Sequence, residues 1–363
     1  MSGFWSMSTN KLNPLGYLQS QLSRRDFLRS CVMGMAGLML PKNLVGNPFP
    51  KFIKDSGDHV LGRVTRTGQM LFQQPDAESK ALVELLIDDL LSITGIRISE
   101  SDSSQNRIWY EIGRKGFAHS RYIQPVDNLK NNTNTRIPQN GCLGEITVPF
   151  VDAFRQMDKN SQLVYRLYYA STYWVAGREE DRLGNVWYKL LDDRYYNHYY
   201  VPAVSLRLVP ASELLPISPK VPWEEKRIEV NLGAQTMKAY EGDNVVFMSR
   251  ISSGVRTREG GFSTPTGYYR TTLKRPCRHM AYPSDDTYTG FDLPGVPWVS
   301  YFTSKGVAFH GTYWHNDFGV PHSHGCINLT PEAARWVYLW TTPAVPPKEY
   351  VYSDNHGTRV IIN

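Results

Sequence analysis

A chain of 363 residues is longer than one ordinary hydrophobic core requires, and it predicts two or three domains. Its hydrophobic fraction of 41% and charged fraction of 20% are typical of a soluble globular protein, and its 22 tyrosines and 9 tryptophans favour a β-rich fold. Much of the formal charge of +6 comes from residues 1–47. The sequence has no basic stripe with interleaved aromatic residues, so it gives no indication of a nucleic-acid partner.

The N-terminal region has the pattern of a targeting segment. Paired arginines in "SRRDFLRS" (23–30) precede an uncharged apolar run, "CVMGMAGLML" (31–40), and the two together resemble a twin-arginine export signal. We therefore assign residues 1–47 to a signal and linker. As a helix the apolar run would be about 15 Å long, half of what a membrane core requires. This disfavours a membrane span and leaves an uncleaved interfacial anchor, or the start of a basic amphipathic helix, as alternatives.

Export would place the chain in an oxidising compartment. Cys31 lies in the targeting segment, which leaves Cys142, Cys277 and Cys326 in the exported part of the chain. Because three is an odd number, at least one of these thiols is free. A disulfide between Cys142 and Cys277 is one alternative, and three free thiols are the other.

Two segments, 58–126 and 144–213, follow the same plan. The first contains "IWYEIGRKGFAHSRYIQPV" and the second "VWYKLLDDRYYNHYYVPAVSLRLVP", each a Trp-Tyr strand, a charged turn, an aromatic strand and a closing "PV" or "PAV". The apolar spacing of "ALVELLIDDLL" (81–91) would also suit a helix, but we expect strands there. Both segments resemble bacterial Src-homology-three-like barrels, which implies two small β-barrels that serve either as spacers or as ligand-binding modules.

A polar linker (128–141) separates these segments, and the proline-rich "PISPKVPW" (216–223) precedes a third unit. In that unit "KRIEVNL", "TMKAYEG", "NVVFMSRISSG", "VPWVSYFT", "GVAFHGTYW" and "GTRVIIN" are predicted strands. A helix is predicted to begin after Thr330, a good N-cap followed by Pro331, and to end near Trp340. A long excursion over 274–296 is expected to lie near the site described next.

Histidines and a cysteine are concentrated in the third unit. A metal site is one interpretation of this cluster. The sequence, however, lacks the paired Cys/His spacing of structural zinc and the HExxH helix of many zinc enzymes, and Asp317 is the one nearby carboxylate. A redox pair would need a second cysteine in C-x-x-C spacing, which is also absent. A buried structural cysteine with incidental histidines remains an alternative. The candidates are His279, His310, His315, His322, His324 and Cys326.

The arrangement also suits a cysteine nucleophile. A cysteine attacks as the thiolate, and an adjacent histidine can supply both the base and a counter-cation. Gly325, within "SHGCIN", allows a tight turn that aims main-chain N–H groups at a developing oxyanion. His310 is predicted to end a strand, where Gly311 would let a main-chain carbonyl approach the imidazole ring.

The stretch "FHGTYWHNDFGVPHSHGCINL" (309–329) resembles the signature of the L,D-transpeptidase (YkuD-type) catalytic domain, and "STPTG" and "LPGVPWVSYF" match further segments of that family. The resemblance covers residues 222–363. It implies an exported enzyme that acts on peptidoglycan stem peptides. A cysteine would attack the carbonyl before the terminal D-Ala, release D-Ala, and pass the acyl group to a side-chain amine of a neighbouring stem, which forms a 3-3 cross-link.

By this resemblance Cys326 is the nucleophile and His310 the general base, oriented by the main-chain carbonyl of Gly311. His324 and the N–H groups of Gly325 and Cys326 would line the oxyanion site, and Ser323 would brace the turn. Tyr301, Trp314 and Asn328 are the candidates for substrate contact, Asn328 with a structural role as the alternative. His315 and Asp317 would shape the donor pocket or lie in a solvated loop, and His279 and Met280 would cover the site.

We therefore predict a mostly β protein with a C-terminal L,D-transpeptidase-type β-sandwich and a short helix, preceded by two small β-barrel domains. The expected partners are peptidoglycan stem peptides, with no cofactor, no metal and no nucleic acid, and with membrane contact only through the export signal or an uncleaved anchor. The expected location is the cell wall or extracytoplasmic space. Two alternatives remain open: an L,D-carboxypeptidase that uses water as acceptor, and a non-catalytic wall-binding protein.

Overall fold

A computed structural model describes residues 60–100, 105–133, 136–255, 261–282 and 290–363. The predicted export signal lies outside these residues. Within them, no helix is both long and apolar enough to cross a membrane. The described chain is mostly β-strand with one α-helix, so the predicted fold class is confirmed.

The first repeat, 60–126, is a seven-stranded antiparallel sheet with strand order β3-β2-β6-β5-β4-β1-β7. The segment 81–91, whose spacing also suited a helix, contributes to two strands separated by a turn. The strands are β1 Val60–Val64, β2 Gln69–Phe72, β3 Ala81–Leu85, β4 Leu90–Ile98, β5 Ile108–Ile112, β6 Gly116–His119 and β7 Ile123–Val126.

The second repeat, 142–208, has the same plan, with strand order β10-β9-β13-β12-β11-β8-β14. When its strands are renumbered from its own first strand, this order is identical to that of the first repeat. A short 3-10 turn precedes the last strand in both, at 120–122 and 203–205. The strands are β8 Cys142–Ile146, β9 Phe150–Phe154, β10 Leu163–Tyr168, β11 Thr172–Glu180, β12 Val186–Leu191, β13 His198–Pro202 and β14 Leu206–Leu208.

The C-terminal domain, 226–362, contains two five-stranded sheets that pack around one helix. The sheet orders are β17-β16-β15-β24-β18 and β22-β21-β20-β19-β23. The core between them is strongly aromatic, and Trp298, Phe309 and Trp340 are almost completely buried in it. The strands are β15 Lys226–Asn231, β16 Thr236–Glu241, β17 Asn244–Arg250, β18 Gly267–Arg270, β19 Leu273–Tyr282, β20 Phe291–Tyr301, β21 Ala308–Gly311, β22 Ile327–Leu329, β23 Tyr352–Ser353 and β24 Arg359–Ile362.

The helix, α1 (Pro331–Trp340), begins where the sequence predicted. The Thr330 hydroxyl accepts a hydrogen bond from the Ala333 N–H at 3.2 Å, and Pro331 occupies the first helical position. At the other end, the ammonium of Lys274 donates to the main-chain carbonyls of Tyr338, Thr341 (2.9 Å) and Pro343 (2.9 Å). The helix C-terminus is thus capped by a buried lysine, and burial together with the charge of Lys226 lowers the pKa of Lys274 well below its usual value.

The structure also describes two features that the sequence singled out. In the stretch 274–296, β19 and β20 form a long antiparallel hairpin. Lys274 and His279, both on β19, are buried against neighbouring elements. Cys142 and Cys277 do not form a disulfide; both are free thiols, and burial raises their pKa values.

Both repeats pack directly against the C-terminal domain. Arg63 of the first repeat is buried where all three parts meet: it donates to Asp88 (3.1 Å) and to the Tyr313 carbonyl (2.7 Å), and its guanidinium lies 4.1 Å from the centre of the Tyr168 ring. From the second repeat, the Thr172 hydroxyl donates to the Pro276 carbonyl at 2.7 Å. The repeats therefore contact both the loop after β21 and the β19–β20 hairpin.

Candidate active site

Two neighbouring parallel strands carry the candidate base and nucleophile. In the pairing of β21 with β22, Phe309 lies opposite Ile327 and His310 lies opposite Asn328. Cys326 immediately precedes β22. The two short strands therefore bring together residues that are 16 positions apart in the sequence.

His310 is buried and held in one tautomer. Its Nδ1 lies 3.0 Å from the main-chain carbonyl of Gly311. Because a carbonyl only accepts, Nδ1 must carry the proton, which leaves the Nε2 lone pair available to accept one. Burial lowers the pKa of His310 to about 4, so the ring is neutral at ordinary pH.

Gly311 is required by crowding. A Cβ atom built on Gly311 would lie 2.7 Å from Pro297 Cγ and 3.0 Å from Pro331 Cα. The expectation that Gly311 has an orienting carbonyl agrees with the geometry, but the absence of its side chain serves the packing of β21 against β20 and α1.

Cys326 is partly buried and un-ionised. Its Sγ donates to the Gly306 carbonyl at 3.8 Å. Burial raises the pKa of Cys326 to about 11, although the N–H of Ala308 donates a hydrogen bond to the sulfur. With His310 also neutral, the chain holds a thiol and an imidazole. The histidine does not supply the counter-cation that we expected.

A braced turn presents the thiol. The Ser323 hydroxyl donates to the Cys326 carbonyl (2.5 Å) and accepts from the Gly325 N–H (3.0 Å), so Ser323 does brace the turn. Gly325 has φ +112°, a conformation that favours glycine. Its N–H is used within the turn, which corrects its assignment to the oxyanion site and leaves the Cys326 N–H as the main-chain donor of that pair.

Thr264 supports the same turn from a separate segment. Its hydroxyl accepts from the Gly254 N–H at 2.9 Å and donates to the Gly325 carbonyl at 2.8 Å. We did not predict this role, although Thr264 lies in the "STPTG" segment that carried part of the family resemblance. The two hydrogen bonds fix the peptide next to the nucleophile.

His324 lies at the exposed rim of the site. Its ring centroid is 4.3 Å from that of Phe262 and 5.1 Å from that of Phe291. An exposed imidazole flanked by two aromatic rings can meet a substrate that enters from solvent. It does not share the buried environment of His310.

Three other predicted residues share a hydrophobic cluster with Cys326. Tyr301, Trp314 and Met280 pack with Cys326 against the buried cluster formed by Val296, Val299 and Ala308. The Trp314 ring centroid is 5.8 Å from that of His310. Burial raises the pKa of Tyr301, and the negative charge of an ionised Cys326 would raise it further. The Tyr301 hydroxyl also interacts with Arg278.

His279 does not cover the site. Its Nδ1 lies 2.9 Å from Asp192 of the second repeat, and its Nε2 bonds Asp292 across the hairpin. Burial opposes protonation, but these two carboxylates raise the pKa of His279 above its usual value. Because neighbouring strand residues point to opposite faces, Met280 packs against the cluster of Val296, Val299 and Ala308, whereas His279 faces the second repeat.

His315, Asp317 and Asn328 are buried together behind the site. His315 Nδ1 accepts from the Asp317 N–H at 3.2 Å, and its Nε2 lies 3.0 Å from the Asn328 amide. The Asp317 carboxylate accepts from His322 (2.7 Å) and from Asn106 of the first repeat (2.8 Å). Neither His315 nor Asp317 is in a solvated loop. Asn328 makes a structural contact with His315, which agrees with the structural role that was its alternative.

The described residues contain no group of three or more His, Cys, Asp or Glu side chains suited to hold a metal ion. The histidines instead bond carboxylates, amides or main-chain carbonyls, or stack against aromatic rings. A thiol just before β22 and a neutral imidazole on the neighbouring strand β21, beside a braced glycine turn, can support nucleophilic acyl transfer.

The comparisons with known proteins agree with this class of site. Residues 225–362 match the family model of the YkuD L,D-transpeptidase catalytic domain, which confirms the predicted presence of this domain. The chain is 30% identical over 128 residues to the putative L,D-transpeptidase YciB of Bacillus subtilis (strain 168), a match that covers 32% of this chain and 61% of that protein. The chain thus spans less than two thirds of the length of this curated relative.

Solved structures of L,D-transpeptidases are also similar in part. The catalytic domain from the Enterococcus faecium L,D-transpeptidase is 26% identical, with 39% of this chain and 98% of that chain covered and a TM-score of 0.30. An L,D-transpeptidase from Mycobacterium smegmatis is 18% identical, with 49% and 90% covered and a TM-score of 0.32.

Proposed function

We propose that the protein is an exported peptidoglycan L,D-transpeptidase that forms 3-3 cross-links through a Cys326 acyl-enzyme. The observation that carries this proposal is the parallel pairing of β21 with β22 inside the matched catalytic domain, in which His310 lies opposite Asn328, two residues after Cys326. The twin-arginine pattern at 23–30 supports export to the cell wall or extracytoplasmic space.

In the first step, His310 Nε2 takes the proton from the Cys326 thiol as sulfur attacks the carbonyl carbon before the terminal D-Ala. The carbonyl oxygen becomes an oxyanion that accepts from the Cys326 N–H and from His324. When the C–N bond breaks, the imidazolium returns the proton to the departing D-Ala amine. A thioester between the stem peptide and Cys326 remains.

In the second step, a side-chain amine of a neighbouring stem attacks the thioester carbonyl. His310 takes a proton from this amine, the C–S bond breaks, and sulfur leaves to regain a proton. The products are an amide cross-link and the free enzyme. No metal or cofactor takes part in either step.

The charge states favour a base that acts during attack. A pKa of about 4 for His310 and about 11 for Cys326 means that the neutral pair dominates between these values. The proton therefore moves when substrate is present, and the thiolate is not stored in the resting enzyme. Trp314, which lies beside His310, and Tyr301, which shares a hydrophobic cluster with Cys326, are our candidates for contact with the donor stem.

The test is incubation of the purified protein with muropeptides, followed by mass spectrometry. Released D-Ala together with a cross-linked dimer that lacks one D-Ala is the expected result. D-Ala release with hydrolysed monomer alone would make the protein an L,D-carboxypeptidase. Binding without any release, in a protein whose thiol can be alkylated, would favour a non-catalytic wall-binding role.

A further inference from the structure

The loop that follows β21 is held from behind by the first repeat. The Asn316 main-chain N–H donates to the Arg121 carbonyl at 2.7 Å, and the Asn316 side chain reaches the Tyr110 hydroxyl at 2.9 Å. The buried guanidinium of Arg63 holds the Tyr313 carbonyl at 2.7 Å. This loop also carries Trp314, which lies beside His310.

Asp317 is the charged centre of this contact. Burial alone would raise its pKa, but hydrogen bonds from His322 and Asn106, together with the charge of Arg121, lower the pKa to about 2. The carboxylate is therefore ionised at any working pH. Its main-chain carbonyl also accepts from the Ser252 hydroxyl at 3.2 Å.

His315 connects Asp317 to the strand of the nucleophile. Burial lowers the pKa of His315 well below its usual value, so the ring is neutral. Since Nδ1 accepts from the Asp317 N–H, Nε2 carries the proton and must donate. The Asn328 amide therefore has its oxygen toward His315, which also gives a partner to an Asn328 Oδ1 that is otherwise buried without one.

Asn328 completes the connection. It lies opposite His310 on β22, two residues after Cys326, and its main chain exchanges two hydrogen bonds with Ser252 (3.0 and 2.9 Å). A displacement of Asn328 would therefore move the nucleophile relative to the base. In well-oriented reactions a shift of about 1 Å can lower the rate by about 100-fold.

We propose that Asn106 and Asp317 are positioning residues through which the first repeat fixes the spacing of Cys326 and His310. This inference rests on the proposed function. It gives the first repeat a role in catalysis: Asn106 donates to Asp317, Asp317 orients His315, and His315 holds Asn328. The contact joins residues that are 211 positions apart in the sequence.

The main test is Asn106→Asp in the full chain, which keeps the shape but replaces a donor by a carboxylate facing Asp317. We expect kcat on muropeptides to fall about 10- to 100-fold, with KM changed less than about twofold. The kcat is calculated per reactive Cys326, counted by mass after alkylation. The matched control is Asn160→Asp, an exposed asparagine of the second repeat whose amide donates to Asp158 at 3.2 Å, and it should leave kcat unchanged.

A double variant separates coupling from general damage. Asn106→Asp with Asp317→Asn restores a donor facing an acceptor, so its kcat should exceed that of either single variant. A kcat equal to the product of the two single effects would overturn the proposal. A loss in Asn106→Asp that disappears when rates are expressed per reactive Cys326 would overturn it as well.

A second readout does not depend on turnover. Displacement of β22 should admit water to Cys326, lower its pKa and speed its alkylation by iodoacetamide several-fold in Asn106→Asp relative to Asn160→Asp. If the parent protein lacks activity on muropeptides, the proposed function fails, while the alkylation rates still test the positioning role. Equal alkylation rates in both variants, with equal kcat, would show that Asn106 does not position the site.

Discussion

His310 lies opposite Asn328 in the parallel pairing of β21 with β22, and Cys326 precedes Asn328 by two residues. The spacing of His310 and Cys326, the proposed base and nucleophile, is therefore set by backbone hydrogen bonds within a sheet. Sites built on strands are held more closely than sites built on loops. The surrounding segments fix the ring tautomer, brace the glycine turn and close the back of the site.

The first prediction concerns the nucleophile. Cys326→Ala should lower turnover of muropeptides by more than about 10³-fold while the fold is kept, because one small, partly buried side chain is removed. The measurement is D-Ala release, with the melting temperature as the check on folding. The family resemblance also implies that a carbapenem acylates the parent protein, seen as a mass adduct on the peptide that contains Cys326.

The other two thiols provide the controls. Cys142→Ala and Cys277→Ala should both retain activity, although Cys277→Ala will be less stable because its side chain is buried in the core. Activity lost in either variant without unfolding would mean that the nucleophile is misassigned. A carbapenem adduct on Cys142 or Cys277 would lead to the same conclusion.

The second prediction follows from the neutral thiol. With a pKa of about 11 for Cys326, the iodoacetamide alkylation rate should rise about tenfold per pH unit from pH 6 to 9, without a plateau. An ion pair with His310 would instead give a plateau that begins at low pH. His310→Ala should leave this profile almost unchanged, since the ring is neutral throughout the range.

The third prediction separates the two histidines. A general base contributes about 10²–10⁴-fold and a single oxyanion donor about 10²–10³-fold, so the rate alone does not assign them. The acidic limb of the pH profile of kcat/KM does distinguish the two histidines. Because its pKa is lowered to about 4, His310 should stay an active base down to about pH 5, and this limb should persist in His324→Ala at a lower rate.

The opposite pattern would exchange the two roles. If His324→Ala abolishes the acidic limb while His310→Ala keeps it, His324 is the base. His310→Gln is a useful companion variant, because it keeps the volume of the buried side chain and removes the ring that can accept a proton. It should be as inactive as His310→Ala.

The local part of the site was predictable from the sequence. The histidine, the glycine turn and the cysteine lie in one stretch of 21 residues, and their roles follow from short-range geometry: Gly325 takes a positive φ and Ser323 bonds across the turn. The mostly β fold was also predictable from the sequence. Strand patterns and the Thr330 helix cap each depend on residues that lie within a few positions of one another in the sequence.

The supporting contacts were not predictable in this way. Asn106 reaches Asp317 across 211 positions, and Arg63 reaches Tyr313 across 250. Nothing in the local pattern distinguishes these residues from ordinary surface polar groups. The burial of Lys274 was not predictable for the same reason. A lysine in a strand suggests an exposed side chain, and only the distant contact with the helix end explains why this one is buried.

The fourth prediction concerns that buried lysine. Lys274→Met should lower the free energy of unfolding of the C-terminal domain by about 2–4 kcal/mol, because the carbonyls of Tyr338 and Thr341 at the helix end, and of Pro343 just beyond it, lose their donor. Urea denaturation followed by tryptophan fluorescence measures this. Lys220→Met, at an exposed position, should change the same quantity by less than about 0.5 kcal/mol. Equal effects in the two variants would show that the Lys274 ammonium does not cap the helix.

The last prediction concerns the contact between the second repeat and the β19–β20 hairpin. His279 lies between Asp192 and Asp292, and these carboxylates outweigh burial and raise its pKa above the unfolded value of about 6.5. A histidine whose pKa is raised by folding contributes its full stabilisation below about pH 6.5. This stabilisation is lost as the pH rises through the pKa of the folded state. The parent protein should therefore lose more stability than His279→Gln between pH 6 and pH 8.5. Urea midpoints at the two pH values give this difference. Comparing the parent with the variant removes the contributions of His310 and His315, whose lowered pKa values act in the opposite direction.

The control is His356→Gln, at an exposed histidine that also contacts a carboxylate, Asp354. Its change in stability between the two pH values should equal that of the parent. A pH dependence that is the same in His279→Gln and the parent would mean that the carboxylates do not hold His279 protonated.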